Sequence, residues 1–276
     1  MKKNCILYLV RSSVEDLLSL NKSLEFLEKN LLPFVDKNTT DILLFHEASF
    51  EEYKIKTKII ENIQTIFIPI VFECPEMNIP FNEIPEFYPH PTHGNGPIAY
   101  WHKGFTMGYR HMCRFFIGWL YEQPIMNNYE YYLRLDTDSF ILTPTNYDIF
   151  NWMKVNNVEY SFIRDAIQYD NPKVIINLWK TVKDWLQNNS IQTNCQFNEI
   201  PEGKMFYTNF ELAKTSIFKE KSQYFTFYKF LDSTGGIFLY RWGDAPVKYI
   251  GVNLFVASEK IKPIHGFTYQ HGAIYN

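Results

Sequence analysis

The chain has 276 residues, 46% of them hydrophobic and 21% charged, and its 27 Lys and Arg against 30 Asp and Glu leave a formal net charge of −3. That much apolar surface excludes disorder of the low-hydrophobicity kind, and the near-neutral balance excludes a general nucleic-acid binder, which needs a basic face to displace counterions from phosphates. Aromatic side chains make up 18% of the chain; they suit either a thick core or a surface that stacks on sugar rings, and core is the better reading of composition alone.

The apolar run 5–10 follows Met-Lys-Lys-Asn and stops at Arg11. That is too short for a signal-peptide core, and no later run approaches the length of a membrane span. The chain as written is therefore expected to be soluble and cytoplasmic. Cys5, Cys74, Cys113 and Cys195 are widely spaced with no Cys-x-x-Cys pair, so they read as reduced thiols with packing roles.

In chain order, residues 4–11 read as a strand ending in a charge. Ser12 and Ser13 then offer a cap to a helix whose apolar face is Leu17, Leu20, Leu24, Leu27 and Leu31. Residues 41–45 read as a second buried strand, 50–62 as a helix and 65–71 as a third strand. This alternation implies parallel βαβ units and a doubly wound α/β sheet. Residues 73–97 collect prolines with His90, His93, Gly94 and Gly96, which reads as a long loop of the kind that covers a site. The pattern resumes with a helix over 103–121, a strand over 131–135 and an extended piece over 139–142. Helices are expected over 147–154, 172–187 and 216–231. Gly235-Gly236 interrupts the pattern, 237–241 reads as a short strand, 244–256 as a helix, and residues from 261 onward as a strand and a tail. No linker or internal repeat divides the chain, so one domain over 1–276 is expected.

The sharpest local feature is the apolar strand that runs out into Asp136-Thr-Asp138. In extended backbone two carboxylates two residues apart project to the same side, and the carboxyl end of a parallel strand faces the crevice where ligands bind. Two hard oxygen ligands there suit a divalent cation that in turn holds a diphosphate. Alone, an Asp-x-Asp also reads as a pair of turn-forming aspartates.

Several blocks in order carry a resemblance: Tyr8-Leu-Val-Arg-Ser12, Tyr109-Arg-His-Met-Cys-Arg-Phe-Phe-Ile-Gly118, Tyr129-Glu-Tyr-Tyr-Leu-Arg-Leu-Asp-Thr-Asp138, Thr208-Asn-Phe-Glu-Leu212, Gly235-Gly-Ile-Phe-Leu-Tyr-Arg-Trp-Gly-Asp-Ala-Pro-Val247 and Gly266-Phe-Thr-Tyr-Gln-His271. They span nearly the whole chain, which resembles the fungal α-1,2-mannosyltransferases of glycosyltransferase family 15. The resemblance implies a GT-A type, Rossmann-like α/β fold with a mixed, mostly parallel sheet. It also implies a GDP-mannose donor, a divalent cation that is typically Mn²⁺, and retaining transfer of mannose to a hydroxyl of a glycan acceptor. Relatives in this family are anchored in the Golgi membrane.

Carried over by block, Asp136 and Asp138 fall in the metal and diphosphate motif, where the family usually has Glu-Pro-Asp. The shorter first acid and the absent proline bear on the metal position and the sugar pocket more than on the enzyme class. His271 matches the family's C-terminal metal-binding histidine, and imidazole beside carboxylate and phosphate oxygens suits Mn²⁺ better than Mg²⁺. Glu211 matches the acid on the β-face of the donor sugar. Its role is either nucleophile in a double displacement or stabiliser of an oxocarbenium-like centre during front-face attack. Asp244 is expected on the acceptor side as well as at a helix N-cap, after a turn that Gly243 permits. Arg241 and Trp242 are expected acceptor contacts, with the indole offering a stacking face. Arg11, Tyr109 and Arg114 are expected donor contacts, the arginines through phosphate oxygens. Phe115, Phe116, Tyr131 and Tyr132 are expected in the core, whereas Tyr109, Trp242 and Tyr269 are expected at the cleft. The altered acidic motif keeps a second class in view, a catalytically degenerate module of the same fold that binds a nucleotide sugar or glycan without turnover.

Overall fold

A computed structural model of the chain describes residues 4–84, 106–163 and 168–272. Most of the expected covering loop, with its two histidines, and the start of the helix expected from 103 lie outside the described residues.

The chain builds a seven-stranded sheet. Its strands are β1 (Asn4–Val10), β2 (Thr40–His46), β3 (Gln64–Pro69), β4 (Tyr131–Leu135), β6 (Tyr160–Ile163), β9 (Phe210–Lys214) and β10 (Ile261–Ile264), in the order β10-β6-β9-β4-β1-β2-β3. β9 runs antiparallel to both its neighbours, β4 and β6, while the other pairings are parallel. All seven residues of β2 are buried, as expected of an interior parallel strand covered on both faces.

Helix α1 (Val14–Asn30) starts where the Ser13 hydroxyl accepts from the Asp16 amide at 3.1 Å, and it lays Leu17, Leu20, Leu24 and Leu27 on the sheet. The short α2 (Glu51–Lys54) follows β2, and α3 (Met107–Ile117) is capped by Thr106, whose hydroxyl accepts from the Tyr109 amide. α4 (Ile149–Val155), α5 (Leu178–Asn188), α6 (Gln223–Thr234), the single turn α7 (Gly236–Leu239) and α8 (Asp244–Phe255) complete the helices. α1 and α4 cover one face of the sheet over a core that includes Ile6, Leu133 and Leu212. α3, α5, α6 and α8 cover the other, over a core that includes Leu7, Phe115 and Tyr132. The alternation of side chains along a strand divides β4 between them: Tyr131, Leu133 and Leu135 face the first core, Tyr132 the second.

Two small sheets flank this frame. β5 (Ser139–Ile141) pairs antiparallel with β11 (Tyr269–His271), with His271 opposite Ser139, and β7 (Gln168–Tyr169) pairs with β8 (Lys204–Met205). No helix among the described residues is long and apolar enough to cross a membrane.

The expected mixed, mostly parallel α/β sheet is present, and α8 and the strands β1 to β5 lie where the sequence puts them. Elsewhere the structure differs. Residues 50–62 form only the end of a 3₁₀ turn and α2; the buried residues there, Phe50, Thr57 and Ile60, are spaced seven and three apart and α2 itself buries none. The strand expected over 237–241 is α7: Gly235, at φ 74°, closes α6 in the left-handed region and the chain immediately starts a new turn. The expected helix over 216–231 begins later, at Gln223, after a Ser222 cap. β6 and β9 were not anticipated. Phe115, Phe116, Tyr131 and Tyr132 are buried as expected. The four thiols are free; Cys5 and Cys113 are buried, Cys195 is partly buried and Cys74 is exposed.

Candidate active site

β4 delivers the acidic motif. After Leu135 the chain turns, with the Ser139 amide donating to the Asp136 carbonyl at 3.0 Å and the Asp136 amide donating to Ser139 Oγ at 3.2 Å. β11, laid along β5, brings in the histidine, and the Gly272 amide donates to the Asp138 carbonyl. His271 Nε2 stands 3.2 Å from Asp138 Oδ1 and 3.8 Å from Asp136 Oδ2, and its Nδ1 lies 3.1 Å from the Tyr207 hydroxyl. Burial lowers the His271 pKa, but the Asp138 hydrogen bond and the two carboxylate charges outweigh it, so it ends above its ordinary value. Burial raises Asp136 despite the neighbouring Arg134 and His271 charges.

These three side chains fit a divalent cation by type. Adjacent ligands on an octahedral ion with bonds of about 2.1 Å stand about 3 Å apart; His271 is 3.2 Å from Asp138 and, farther off, 3.8 Å from Asp136. Among the described residues no group of three or more His, Cys, Asp and Glu already stands in metal-holding geometry; the His271–Asp138 contact would be exchanged for the ion, and Tyr207 would hold the far side of the ring.

Arg134 is the hub of the site and was not singled out from sequence. The residue is 2% exposed, and its guanidinium stacks on Phe116 at 3.4 Å. One edge of the fork reaches Asp136 Oδ1, with Nη2 at 3.1 Å and Nε at 3.3 Å. Nη1 donates to Asp244 Oδ2, which also accepts from Thr208 Oγ1 at 2.7 Å. Asp244 is thereby held below its ordinary pKa: burial would raise it, but the Arg134 charge and the hydrogen bonds from Arg134 and Thr208 prevail. It is the first residue of α8, with Gly243 rather than Asp244 at the N-cap, and Gly243 has an ordinary φ of −74°. The left-handed residue of this turn is Arg241, at φ 61°.

Behind this pair lies a buried layer. Glu211, on β9 opposite Arg134 in register, is 1% exposed. Its carboxylate accepts from the hydroxyls of Tyr132 and Tyr160, the latter at 2.9 Å. Lys248 Nζ lies 3.2 Å from Oε1. Glu211, expected on the β-face of the donor sugar, is thus buried and enclosed by these partners. Lys248 was also missed, although its spacing of four from Asp244 puts both on one face of a helix. Arg134 likewise shares its strand face with Asp136, two residues on.

Tyr109 and Arg241 are brought together, with Nη2 3.1 Å from the phenol oxygen and the guanidinium stacked over the ring at 4.8 Å. Tyr269 donates to Asn209 Oδ1 at 2.8 Å beside the acidic turn. Arg11 stands half-exposed at the carboxyl end of β1, held by Asp16 at 2.6 Å. Arg114 and Trp242 do not join the site. The Nε/Nη2 edge of Arg114 is bound at 2.8 and 2.9 Å by buried Asp232, and its Nη1 donates to the Glu73 carbonyl at 3.3 Å. Trp242 is 1% exposed; its Nε1 donates to the Ile176 carbonyl and its ring lies against Gly236, so no face is open to an acceptor sugar.

A twisted α/β sheet with paired aspartates at the carboxyl end of a central strand has the GT-A architecture of nucleotide-sugar glycosyltransferases. The profile of the family described as glycolipid 2-alpha-mannosyltransferase, glycosyltransferase family 15, matches residues 1–276, and the chain belongs to this family of mannosyltransferases. The O-glycoside alpha-1,2-mannosyltransferase omh1 of Schizosaccharomyces pombe is 36% identical over 172 residues, covering 59% of this chain and 43% of the relative. Glycolipid 2-alpha-mannosyltransferase 1 of Candida albicans is 35% identical over 177 residues, 61% of this chain and 40% of the relative. The chain thus spans about two fifths of the length of these two relatives. The fold matches the crystal structure of core-mannan synthase A (CmsA/Ktr4) from Aspergillus fumigatus in its Mn/GDP form, with a TM-score of 0.76 at 23% identity, covering 98% of this chain and 75% of that one.

Proposed function

We propose that residues 1–276 act as one GT-A unit, a retaining mannosyltransferase that moves mannose from GDP-mannose to a hydroxyl of a glycan acceptor in α-1,2 linkage. The observation that carries this reading is the convergence of Asp136, Asp138 and His271 at the carboxyl end of β4. The Mn/GDP form of the Aspergillus relative supports Mn²⁺ and a guanine nucleotide here. A divalent ion held by the three side chains would supply positive charge to the donor diphosphate.

The protein's own part is positional and electrostatic. Arg134 aims Asp136 and ties it to Asp244, the acceptor-side carboxylate. Glu211 lies under the sugar with its oxygens already hydrogen-bonded, an arrangement that favours a fixed anion steadying positive charge at the anomeric carbon over a free nucleophile. The retaining reaction is accordingly read as front-face attack, with the leaving phosphate taking the acceptor proton. The Tyr109–Arg241 stack is read as pairing a donor contact with an acceptor contact.

The test is GDP release from GDP-mannose with Mn²⁺, with and without methyl α-mannoside, alongside UDP-sugars. GDP release and an α-1,2-linked disaccharide are expected. Donor binding without release would identify the non-catalytic module, and release from UDP-sugars alone would overturn the donor.

A further inference from the structure

Lys248 is a buried cation that the mechanism above does not use. It is fully buried, with Nζ 2.6 Å from the Tyr121 hydroxyl and 3.6 Å from the centre of the Phe218 ring, with Tyr121 and Tyr224 rings at 4.7 and 5.5 Å. Burying an ammonium is costly unless a carboxylate and aromatic faces take the place of water, and both do so here. The other two donors to Glu211 are neutral hydroxyls. Lys248 stands one helical turn from Asp244, about 6 Å along the α8 axis, so a single rigid turn is tied to Glu211 on β9 and, through Arg134, to β4.

We propose that Lys248 is the positioning residue for Glu211: α8 acts as a ruler that fixes the Glu211 carboxylate under the donor sugar relative to Asp244 on the acceptor side, and so governs turnover without touching substrate. This rests on the reading of Glu211 given above. The titratable and charged groups around the Lys248–Glu211 pair are Arg134 from β4, Tyr121 from the 3₁₀ turn Trp119–Glu122, Tyr224 from α6 and Asp244 on its own helix, all facing Lys248, with Tyr132 from β4 and Tyr160 from β6 on Glu211. Burial pushes all four tyrosines well above their ordinary pKa. Burial pushes Lys248 down to about 8, against the opposing pull of Glu211. Among these groups Lys248 is therefore the one expected to lose its proton just above neutrality.

The experiment measures transfer from GDP-mannose to methyl α-mannoside with Mn²⁺ for the wild type, Lys248→Met, Lys248→Arg, Glu211→Gln and the Lys248→Met/Glu211→Gln double variant. Lys248→Met should lower kcat roughly 100-fold, the scale of an ångström-sized misplacement, while donor KM changes by less than about twofold. Lys248→Arg should restore part of the rate and move the wild-type alkaline limb, near pH 8, upward by at least about one unit, because guanidinium keeps its proton. In the Glu211→Gln background Lys248→Met should add less than about threefold. A Lys248→Met enzyme with wild-type kcat overturns the positioning claim alone. If that variant does not fold, identical alkaline limbs in the wild type and Lys248→Arg overturn it instead. A wild type that transfers no mannose overturns the donor reading, and the positioning claim with it.

Discussion

Replacing Arg134 with Met removes the guanidinium and leaves a stem of similar length. In the wild type it joins Asp136 and Asp244 while stacked on Phe116, and both it and Asp244 are buried. The substitution strands the Asp244 carboxylate with Thr208 and the α8 N-terminus as its remaining support. Removing one partner of a buried ion pair costs about 3–5 kcal/mol. A 276-residue chain unfolds with an entropy of about 0.6 kcal/mol/K, so the melting temperature should fall by roughly 5–9 °C. The pH dependence carries a sign. Asp244 has a depressed folded pKa, since burial is outweighed by Arg134 and Thr208. It therefore contributes stability above the unfolded carboxylate value near 4 and loses it as pH falls through the folded value. Arg134→Met abolishes that contribution, so the gap between wild type and variant should be full at pH 7 and close progressively below about pH 4. Differential scanning fluorimetry across this range measures it. A variant melting within about 2 °C of the wild type at pH 7, or a gap that widens in acid, refutes the argument.

Glu211→Gln should lose roughly 100- to 1,000-fold in transfer rate while binding GDP-mannose within about threefold of the wild type by calorimetry; retained turnover would sink the assignment. His271→Ala should weaken Mn²⁺ binding at least about tenfold, measured by direct titration without donor, and His265→Ala should leave it unchanged; equal effects of the two would remove His271 from the site. Gly236→Ala should destabilise by about 1–3 kcal/mol, because a Cβ there would stand 2.2 Å from the buried Trp242 ring. Denaturant unfolding reads that loss, and a neutral result would mean that the indole has room to move.

The parts of the fold that were legible are those where one physical signal dominates. β1 and β2 are apolar runs buried in a parallel sheet, β3 is a half-buried apolar run at its edge, and α1 carries an unbroken leucine stripe. β9 escaped notice because Phe-Glu-Leu-Ala-Lys holds a charge at its second position, and that charge is buried only because Tyr132, Tyr160 and Lys248 arrive from three other elements. Short apolar runs do not distinguish strand from helical turn, which is why 237–241 misled. For the site, the acidic pair and His271 were named from motif blocks, but their meeting depends on the β5–β11 pairing across 130 residues of chain. Trp242 and Arg114 sit in distinctive motifs for packing reasons, the one filling space over Gly236, the other locking α3 to α6.

The antiparallel course of β9 bears on how the molecule assembles. β1 to β4 can collect as one block and β6 with β10 as another, and β9 is the strand that joins the two. It must thread into a slot between strands made some 50 and 80 residues earlier in the chain, the kind of non-local pairing that forms late because loop closure precedes its reward. Until that strand locks, Glu211 has no tyrosines, Lys248 has no counterion and Arg134 lacks the far wall of its enclosure. Partly folded chains are thereby spared the expense of charges buried without partners, and the electrostatic machinery comes into existence with the final closure of the sheet.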